Sequence, residues 1–365
     1  MQSIPQRQSL VSQTVTVLRN GIADGTWRDW LPSERALCQQ LQVSRNTLRT
    51  ALNQLQRAKL VRAEHGAGTR ILTTTEPSAP ALPAGDVALL SPDPLEQLRP
   101  TQTLWIDALR AMLGERGCRL HVFHGRQYFR SNPGPALQKL LAQHPHGCWI
   151  LTLPNEAIQH WFSEHEVPCV VAGSVHGDLA LPSRDLDHRA MCRHAAGIML
   201  GLGHRQLAIV IAQSRLAGDL ESEAGFIDGV RMSPHPDAEA IVCKHDGTVP
   251  GIGHSLRRLF ERAKPPTALL VANAYHYLAV VGRLAQLGRR VPYEVTVISR
   301  DEDPFLSFMM PAPARYIANP QSLAKSLLEP VLDLLAGRAV TKPTLRLMPD
   351  FFRGETLGPP PPVVR

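Results

Sequence analysis

The chain has 365 residues, enough for two or three domains with a sizeable hydrophobic core. Its net charge of +7 is uneven, because residues 1–72 hold 10 lysines and arginines against 4 aspartates and glutamates. The rest of the chain holds 29 basic against 28 acidic residues. We refer to residues 1–72 as the head and to residues 86–365 as the body. A basic head on a nearly neutral body predicts that the head meets a polyanion.

Composition also predicts several absences. The six cysteines are scattered without a Cys-x-x-Cys pair, which argues against a zinc site and against a disulfide framework. No apolar run reaches the roughly 18 residues of a membrane span. The first residues, MQSIPQRQ, lack the apolar core of a signal peptide. We therefore expect a cytoplasmic protein that contains no metal and no cofactor.

The head begins with a predicted helix over about residues 8–24, which Gly25 ends. The apolar residues of this helix define its inner face: Leu10, Val11, Val15, Val17, Leu18 and Ile22. After residue 60, two short β segments around a glycine turn predict a small wing.

Between these elements, LPSERALCQQLQVSRNTLRTALNQLQ predicts two helices joined by a tight turn. Ser33 suits the N-cap of the first helix and Ser44 that of the second. Apolar residues follow on the second helix at spacings of four and three, at Leu48, Leu52 and Leu55. Polar side chains at the start of a second helix are typical of a unit that enters the major groove of DNA.

The stretch "DGTW … LPSERALCQQLQVSRNTLRTALNQLQRAKLVRAEHGAGTRI" closely resembles the winged helix-turn-helix of GntR-family regulators. The resemblance covers about 60 residues and includes the Leu-Pro-Ser-Glu-Arg start, the Val-Ser-Arg-x-Thr-x-Arg helix and the Gly-x-Gly-Thr wing. It implies DNA contacts from the helices and the wing, at Arg35, Ser44, Arg45, Thr47, Arg49, His65, Gly66, Gly68 and Thr69.

The chemistry of these residues agrees with the resemblance. An arginine fork matches the O6 and N7 atoms of guanine, whereas hydroxyl groups and glycine amides suit phosphates. The alternative is that the arginines form an ordinary solvated helix face. Gly66 and Gly68 also suggest a phosphate-binding loop, but they lie in a β turn and not between a strand and a helix.

Residues 73–85, TTTEPSAPALPAG, contain three prolines and predict a linker. In the body, apolar strands alternate with amphipathic helices, which is typical of a parallel α/β sheet. The predicted strands cover 86–90, 119–123, 147–153, 168–172, 207–212, 240–243, 267–272 and 295–299. The predicted helices cover about 103–116, 134–143, 155–165, 188–201, 221–231, 253–263, 275–287 and 321–336.

Three body segments resemble the effector domain of LacI-type regulators, which is similar in fold to periplasmic sugar-binding proteins. They are DLDHRAMCRHAAGIMLGLGHRQLAIVI, PTALLVANAYHYLAVVGRLAQLGRRVPYEVTVISRDEDP and NPQSLAKSLLEPVLDLLAGR. Across residues 86–180 only the order of strands and helices supports the resemblance. It implies two α/β lobes with a ligand cleft between them and crossings near 182–187, 315–319 and 340–348.

The chain departs from the sugar-binding pattern at two positions. Ser222 stands where the pattern has an arginine, three residues before a Gly-Phe pair, and Ala274 stands where it has an aspartate. Both residue types normally bind sugar hydroxyls through charge-assisted hydrogen bonds. Ligand contacts are still expected from the matching acidic positions and from weaker candidates, namely Asp187, Asp301, Asn273, Ser222, Trp105 and Arg300.

Two other interpretations of the body remain. Asp187 and Asp301 could cap helices or pair with arginines that close the lobes. An enzyme is disfavoured, because Gly201-x-Gly203 precedes a strand instead of following one and no Gly-x-Ser-x-Gly elbow occurs. The close pairs His121/His124 and His144/His146 lack a third ligand and are interpreted as surface residues.

The sequence favours a transcriptional regulator, most simply a repressor, that binds double-stranded operator DNA as a homodimer. A small molecule in the cleft, such as a sugar or a sugar derivative, would control DNA affinity. The alternative keeps the DNA-binding head and makes the body a ligand-independent dimerisation module, as the residues at positions 222 and 274 suggest.

Overall fold

The structure is a computed structural model that describes residues 10–23, 26–27, 29–57, 60–64, 68–72 and 85–362. It divides into two compact units, residues 1–81 and 82–365. Most of the predicted linker, together with Gly25, lies outside the described residues.

The described residues of the first unit form three helices and a β-hairpin. They are α1 (Leu10–Ala23), α2 (Glu34–Leu41), α3 (Arg45–Arg57), β1 (Val61–Glu64) and β2 (Gly68–Ile71). Its core gathers one apolar face from each element: Leu18, Leu31, Leu37, Leu48, Ala51, Leu52, Leu55, Val61 and Ile71. The predicted helical stripe is therefore correct for α3. In α1 the prediction is wrong for Val17, which is 48% exposed because it lies off the face that packs on α3.

Side-chain hydroxyls cap both helices of the predicted helix-turn-helix. Ser33 Oγ accepts the Ala36 amide at 3.3 Å, and Ser44 Oγ accepts the Thr47 amide at 3.1 Å. Each bond satisfies an amide that the helix itself leaves without a partner. Both predicted caps are confirmed.

The predicted wing is an antiparallel hairpin in which Val61 faces Ile71. A third segment joins it, because the Leu31 amide donates to Thr69 at 2.9 Å and the Ile71 amide donates to Asp29 at 2.8 Å. The turn residues His65 and Gly66 lie outside the described residues. The extra segment attaches the wing directly to the start of the helix-turn-helix.

The body has two lobes, each built on one sheet. Lobe 1 begins with β3 (Asp86–Ser91), α4 (Pro100–Gly114), β4 (Arg119–His124), α5 (Gly134–Gln143), β5 (Cys148–Thr152), α6 (Glu156–Glu164), β6 (Cys169–Ala172) and β7 (Ser183–Leu186). Lobe 2 contains α7 (His188–Gly201), β8 (Gln206–Ala212), α8 (Ala217–Arg231), β9 (Glu239–His245), α9 (Val249–Phe260), β10 (Ala268–Val271), α10 (Ala274–Gln286), β11 (Thr296–Ser299) and β12 (Ala314–Ile317). The chain then contributes α11 (Pro320–Leu335) and β13 (Thr344–Leu347) to lobe 1 and β14 (Asp350–Phe352) to lobe 2.

The sheet orders are β13-β7-β6-β5-β3-β4 in lobe 1 and β14-β12-β11-β10-β8-β9 in lobe 2. All neighbours are parallel except β12 and β14. The predicted α/β class, with parallel sheets and flanking helices, is therefore confirmed. The chain passes between the sheets after Leu186, after Ile317 and after Leu347.

The central strands are apolar because helices cover both faces of each sheet. All eight predicted strands and all eight predicted helices of the body are present. Four strands had no prediction: β7, β12, β13 and β14. They include the polar or charged residues Arg184, Arg315, Arg346 and Asp350, so their sequences lack an apolar run.

Within the described residues, no helix is long and apolar enough to cross a bilayer. The same part of the chain contains no group of three metal-binding side chains. Five cysteines are buried and Cys38 is half-buried.

Candidate functional sites

The first candidate site is the polar face of α2 and α3. Arg35, Arg45 and Arg49 are exposed on these two helices, with Ser44 at the start of α3. Arg49 Nε lies 3.0 Å from Glu34 Oε2, an ion pair between exposed side chains that joins α3 to α2. Among the described residues, no carboxylate lies within ion-pair distance of Arg35 or Arg45. These two guanidinium groups are therefore available to an anionic partner.

The hydroxyl groups at the start of α3 also have structural partners. Ser44 Oγ lies 2.8 Å from Thr47 Oγ1 while it caps the helix. In the wing, Gly68 is exposed and has a φ of +114°, a backbone conformation that favours glycine. Thr69 is half-buried beside it. This surface combines two unpaired cations with hydroxyl and amide groups, a set that suits phosphates and base edges.

The second candidate site is a cavity of about 420 Å³ between the two lobes. It lies at the carboxyl ends of parallel strands from both sheets, where open α/β sheets bind ligands. The polar residues of its lining include Arg99, Gln102, Arg184, Asp185, His188, Asp219, Asn273, His276, Arg300 and Asp301.

A buried ionic network forms the lobe 2 wall of the cavity. Arg300 Nε donates to Asp301 Oδ1 at 2.9 Å, and Arg300 Nη1 donates to Asp219 Oδ1 at 2.9 Å and to Ser222 Oγ at 2.8 Å. Burial opposes the charge on Arg300, but the carboxylates of Asp301 and Asp219 raise its pKa above the usual range. Arg300 therefore stays cationic and fixes the positions of both carboxylates.

Asp301 has a second cationic partner from the other lobe. Arg99, which directly precedes α4, donates from Nη1 to Asp301 Oδ2. Burial by itself would raise the pKa of Asp301, but Arg300 and Arg99 hold it below its usual range. Both carboxylate oxygens are thus occupied by arginines.

On the lobe 1 side of the cavity, the carboxylate in the lining is that of Asp185, whose side chain is largely buried. It accepts a hydrogen bond from Ser174 Oγ at 2.7 Å, and His188 Nε2 lies 3.4 Å from its Oδ1 atom. Burial would raise the pKa of Asp185, but His188 and the hydrogen bonds lower it. The Nδ1 atoms of His188 and of His276 have no hydrogen-bond partner among the described residues.

The six predicted ligand residues occupy different places. Asn273, Arg300, Asp301 and Trp105 line the cavity. Ser222 is fully buried behind Arg300 and is not part of the lining. The prediction is corrected for Asp187, which is absent from the lining because its carboxylate faces the helix start and accepts the Ala190 amide at 2.9 Å as the N-cap of α7.

Sequence reasoning did not identify Arg99, Asp185, Asp219 and His276. The segment before α4 carries no motif, and neither Asp219 nor His276 belongs to one. Asp185 stood two residues from the acidic position that the resemblance selected. A strand prediction over residues 183–186 would have placed Asp185 at a strand end and therefore at the cleft.

The family comparisons agree with both halves of this structure. Residues 10–71 match the family model of bacterial regulatory proteins of the gntR family. Residues 196–357 match the periplasmic binding protein-like domain. The chain joins a gntR-family domain to a periplasmic binding protein-like domain. The two resemblances drawn from the sequence are thereby confirmed.

Curated relatives are transcriptional regulators by name. The HTH-type transcriptional regulator CelR of Thermobifida fusca is 25% identical over 226 residues, covering 60% of this chain and 61% of that protein. The HTH-type transcriptional regulator AglR of Rhizobium meliloti is 25% identical, and the match covers only 38% of it. The arabinose metabolism transcriptional repressor of Halalkalibacterium halodurans is 24% identical over 290 residues, 75% of each chain. The chain therefore spans less than two thirds of the length of the first two relatives.

Solved structures show the same fold at low identity. A transcriptional regulator from Yersinia pestis has a TM-score of 0.65 and 22% identity over 75% of this chain and 99% of that chain. The transcriptional regulator CelR in complex with cellobiose has a TM-score of 0.65 and 19% identity over 86% of this chain and 92% of that chain. At these identities the solved structures show the fold that the chain shares with them.

Proposed function

We propose that this protein is a transcriptional repressor that reads operator DNA with α3 and the wing and responds to a small molecule in the body cleft. The proposal rests on Arg35 and Arg45, two exposed arginines of a capped helix-turn-helix that have no carboxylate partner among the described residues. Specific DNA recognition by such a small domain generally uses two half-sites, so the active species is a homodimer.

The charges of the cleft favour a neutral, hydroxyl-rich effector. The lining holds three arginines, but Arg99 and Arg300 already pair with carboxylates, and Arg184 donates to three backbone carbonyls. An anionic ligand would have to compete for them. A neutral ligand can use the remaining donors and acceptors of Gln102, Asp219 and Asn273.

The names of similar proteins support the same ligand class. One structural relative, the transcriptional regulator CelR, was solved with cellobiose, and a LacI family transcriptional regulator from Enterococcus faecium was solved with ribose. The side chain of Trp105 lies in the lining and offers an apolar surface for the C–H face of a sugar ring. The effector of this chain is therefore proposed to be a neutral sugar.

The DNA-binding part is tested by selecting duplexes from a random library with the full chain. The selected duplex is then titrated by fluorescence anisotropy at several salt concentrations. Arg45→Ala is expected to weaken binding by about 1–3 kcal/mol, because an arginine contact to a base has that magnitude. Arg257→Ala removes the same charge from α9 in the body and is expected to leave affinity unchanged.

Two results would count against the proposal. If Arg45→Ala binds the selected duplex as tightly as the wild type does, Arg45 does not contribute to DNA recognition. A salt slope near zero for the wild-type chain rules out phosphate contacts, since each neutralised phosphate contributes to that slope.

A further inference from the structure

The two lobes of the body are joined across the cleft by ion pairs of very different burial. Arg215 and Glu156 meet at 3.9 Å, but their side chains are 90% and 52% exposed. Arg346 and Glu221 meet at 3.8 Å with 42% and 28% exposure. Such exposed pairs contribute little, since solvent screens them. Among these three arginine–carboxylate pairs, that of Arg99 and Asp301 is the most buried, with side chains 25% and 9% exposed.

The backbone holds Arg99 at a fixed place in lobe 1. Pro100 begins α4, and it restricts the preceding residue to the extended conformation that Arg99 adopts, with φ −64° and ψ 145°. The Arg99 carbonyl accepts the Gln102 amide at 2.8 Å and the Thr103 amide at 3.2 Å. The guanidinium group therefore projects from a rigid helix start and not from a mobile loop.

Asp301 is fixed equally well in lobe 2. Ser299 Oγ donates to the Asp301 carbonyl at 2.8 Å, and Arg300 occupies its Oδ1 atom. Arg300 Nη2 also donates to the other oxygen, Oδ2, but over a longer distance of 3.4 Å, so Oδ2 is the more open acceptor for a ligand hydroxyl. Arg99 bonds to that oxygen.

We infer that Arg99 is an internal occupant of the effector cleft, which masks Asp301 and holds the two lobes together when no ligand is bound. Its position makes it a specificity-determining residue, because a ligand that binds Asp301 has to replace Arg99 as the partner of a buried carboxylate. Ligands that use Asp219 and Asn273 leave the contact intact. The inference rests on the proposed function only in treating the cleft as an effector site.

The contact can be tested on the full chain with neither DNA nor ligand, by hydrogen–deuterium exchange and mass spectrometry. Arg99→Gln removes the charge that crosses the cleft. Peptides covering residues 172–176 of lobe 1 and 272–276 of lobe 2 are expected to exchange several-fold faster, because the lobes separate. The core strands β3 and β10 are expected to keep their protection.

Two control variants make the result specific. Arg99→Lys retains one charged donor for Asp301 and is expected to restore most of the protection. Arg110→Gln removes an arginine of α4 that pairs with Asp107 of the same helix and not with the other lobe. This variant is expected to behave as the wild type.

Unchanged exchange of both cleft peptides in Arg99→Gln would overturn the inference. Faster exchange that extends to β3 and β10 would also overturn it, since Arg99 would then stabilise the whole fold. Either result leaves the DNA-binding proposal untouched, and a failure to select DNA leaves this test valid.

Discussion

Arg300 supplies, from the end of β11, the guanidinium group that the sugar-binding pattern places at position 222. Its Nη1 atom donates to Ser222 Oγ at 2.8 Å. An arginine at position 222 would bring two guanidinium groups together, so a small hydroxyl residue is needed there. Asp219 and Asp301 neutralise Arg300. The departure at Ser222 is therefore compatible with a functional cleft, although the charge comes from another residue.

His245, at the end of β9, is a second residue whose environment has a measurable consequence. It is 3% exposed and its ring lies 4.6 Å from that of His276. Nδ1 accepts the Gly247 amide at 3.0 Å. The pKa of His245 is lowered to about 4, mainly by burial and to a smaller extent by the nearby His276. Asp246 and Asp219 oppose this shift. The folded protein thus holds this imidazole neutral at neutral pH.

Acidification should therefore destabilise the body through His245. Between its unfolded pKa of about 6.5 and its folded pKa of about 4, only the unfolded chain binds the proton, so stability falls as the pH falls. From pH 7 to pH 5 the wild type is expected to lose about 1–2 kcal/mol more than His245→Gln. The glutamine can still accept the Gly247 amide. Urea unfolding at the two pH values measures the difference, and parallel pH profiles would contradict it.

The close pairing of α7 and α8 depends on glycine. A Cβ atom at Gly225 would lie 2.2 Å from the Arg189 carbonyl oxygen. At Gly229 it would lie 2.9 Å from both the Ala196 Cβ and the Arg193 carbonyl oxygen. The Gly-Phe pair of the sequence therefore serves packing, since Phe226 is fully buried beside this contact.

Gly225→Ala is expected to lower the stability of the body by about 2–3 kcal/mol, because neither backbone can move away without strain. The matched control is Gly197→Ala, on the exposed side of α7, where an added Cβ meets nothing within 4 Å. That substitution should raise stability by about 0.5–1 kcal/mol through the better helix propensity of alanine. Denaturant unfolding compares the two, and equal effects would exclude close packing as the reason for Gly225.

The two units differ in net charge and in the function proposed for each. The head carries an excess of 6 positive charges, whereas the rest of the chain is nearly neutral. A basic surface suits a polyanion, and a cleft with paired charges suits a neutral ligand. Coupling between them requires that the effector distinguish two arrangements of the lobes.

A thermal-shift panel on the full chain tests this ligand class, with cellobiose, ribose and other neutral sugars beside sugar acids and sugar phosphates. A neutral sugar present at about one hundred times its dissociation constant should add about 2.7 kcal/mol of stability. Asp219→Asn should lose most of that gain, since its carboxylate is a proposed acceptor of ligand hydroxyls. If anionic ligands alone raise the melting temperature, the charge argument is wrong. If no compound raises the melting temperature, the body is better interpreted as a ligand-independent dimerisation module.

Local patterns in the sequence were sufficient for the helices and most strands. The period of the apolar residues and the capping hydroxyls act within a few residues, and so they predicted α3, its Ser44 cap and the central strands directly. The strands β7, β13 and β14 were not predicted, because their residues are polar or exposed. Their pairing depends on neighbours that lie far away in the sequence.

Sequence patterns were sufficient for the two domain types and the parallel α/β class, and they predict that arginines of the head contact DNA. Only the tertiary structure decided the chemistry of the cleft. Arg99 and Asp301 lie 202 residues apart in the sequence. In the folded chain Asp187 caps a helix, whereas Asp185 lies in the lining of the cavity. Long-range contacts of this kind leave no period or motif in the chain, because they depend on how the two lobes pack and not on neighbouring residues.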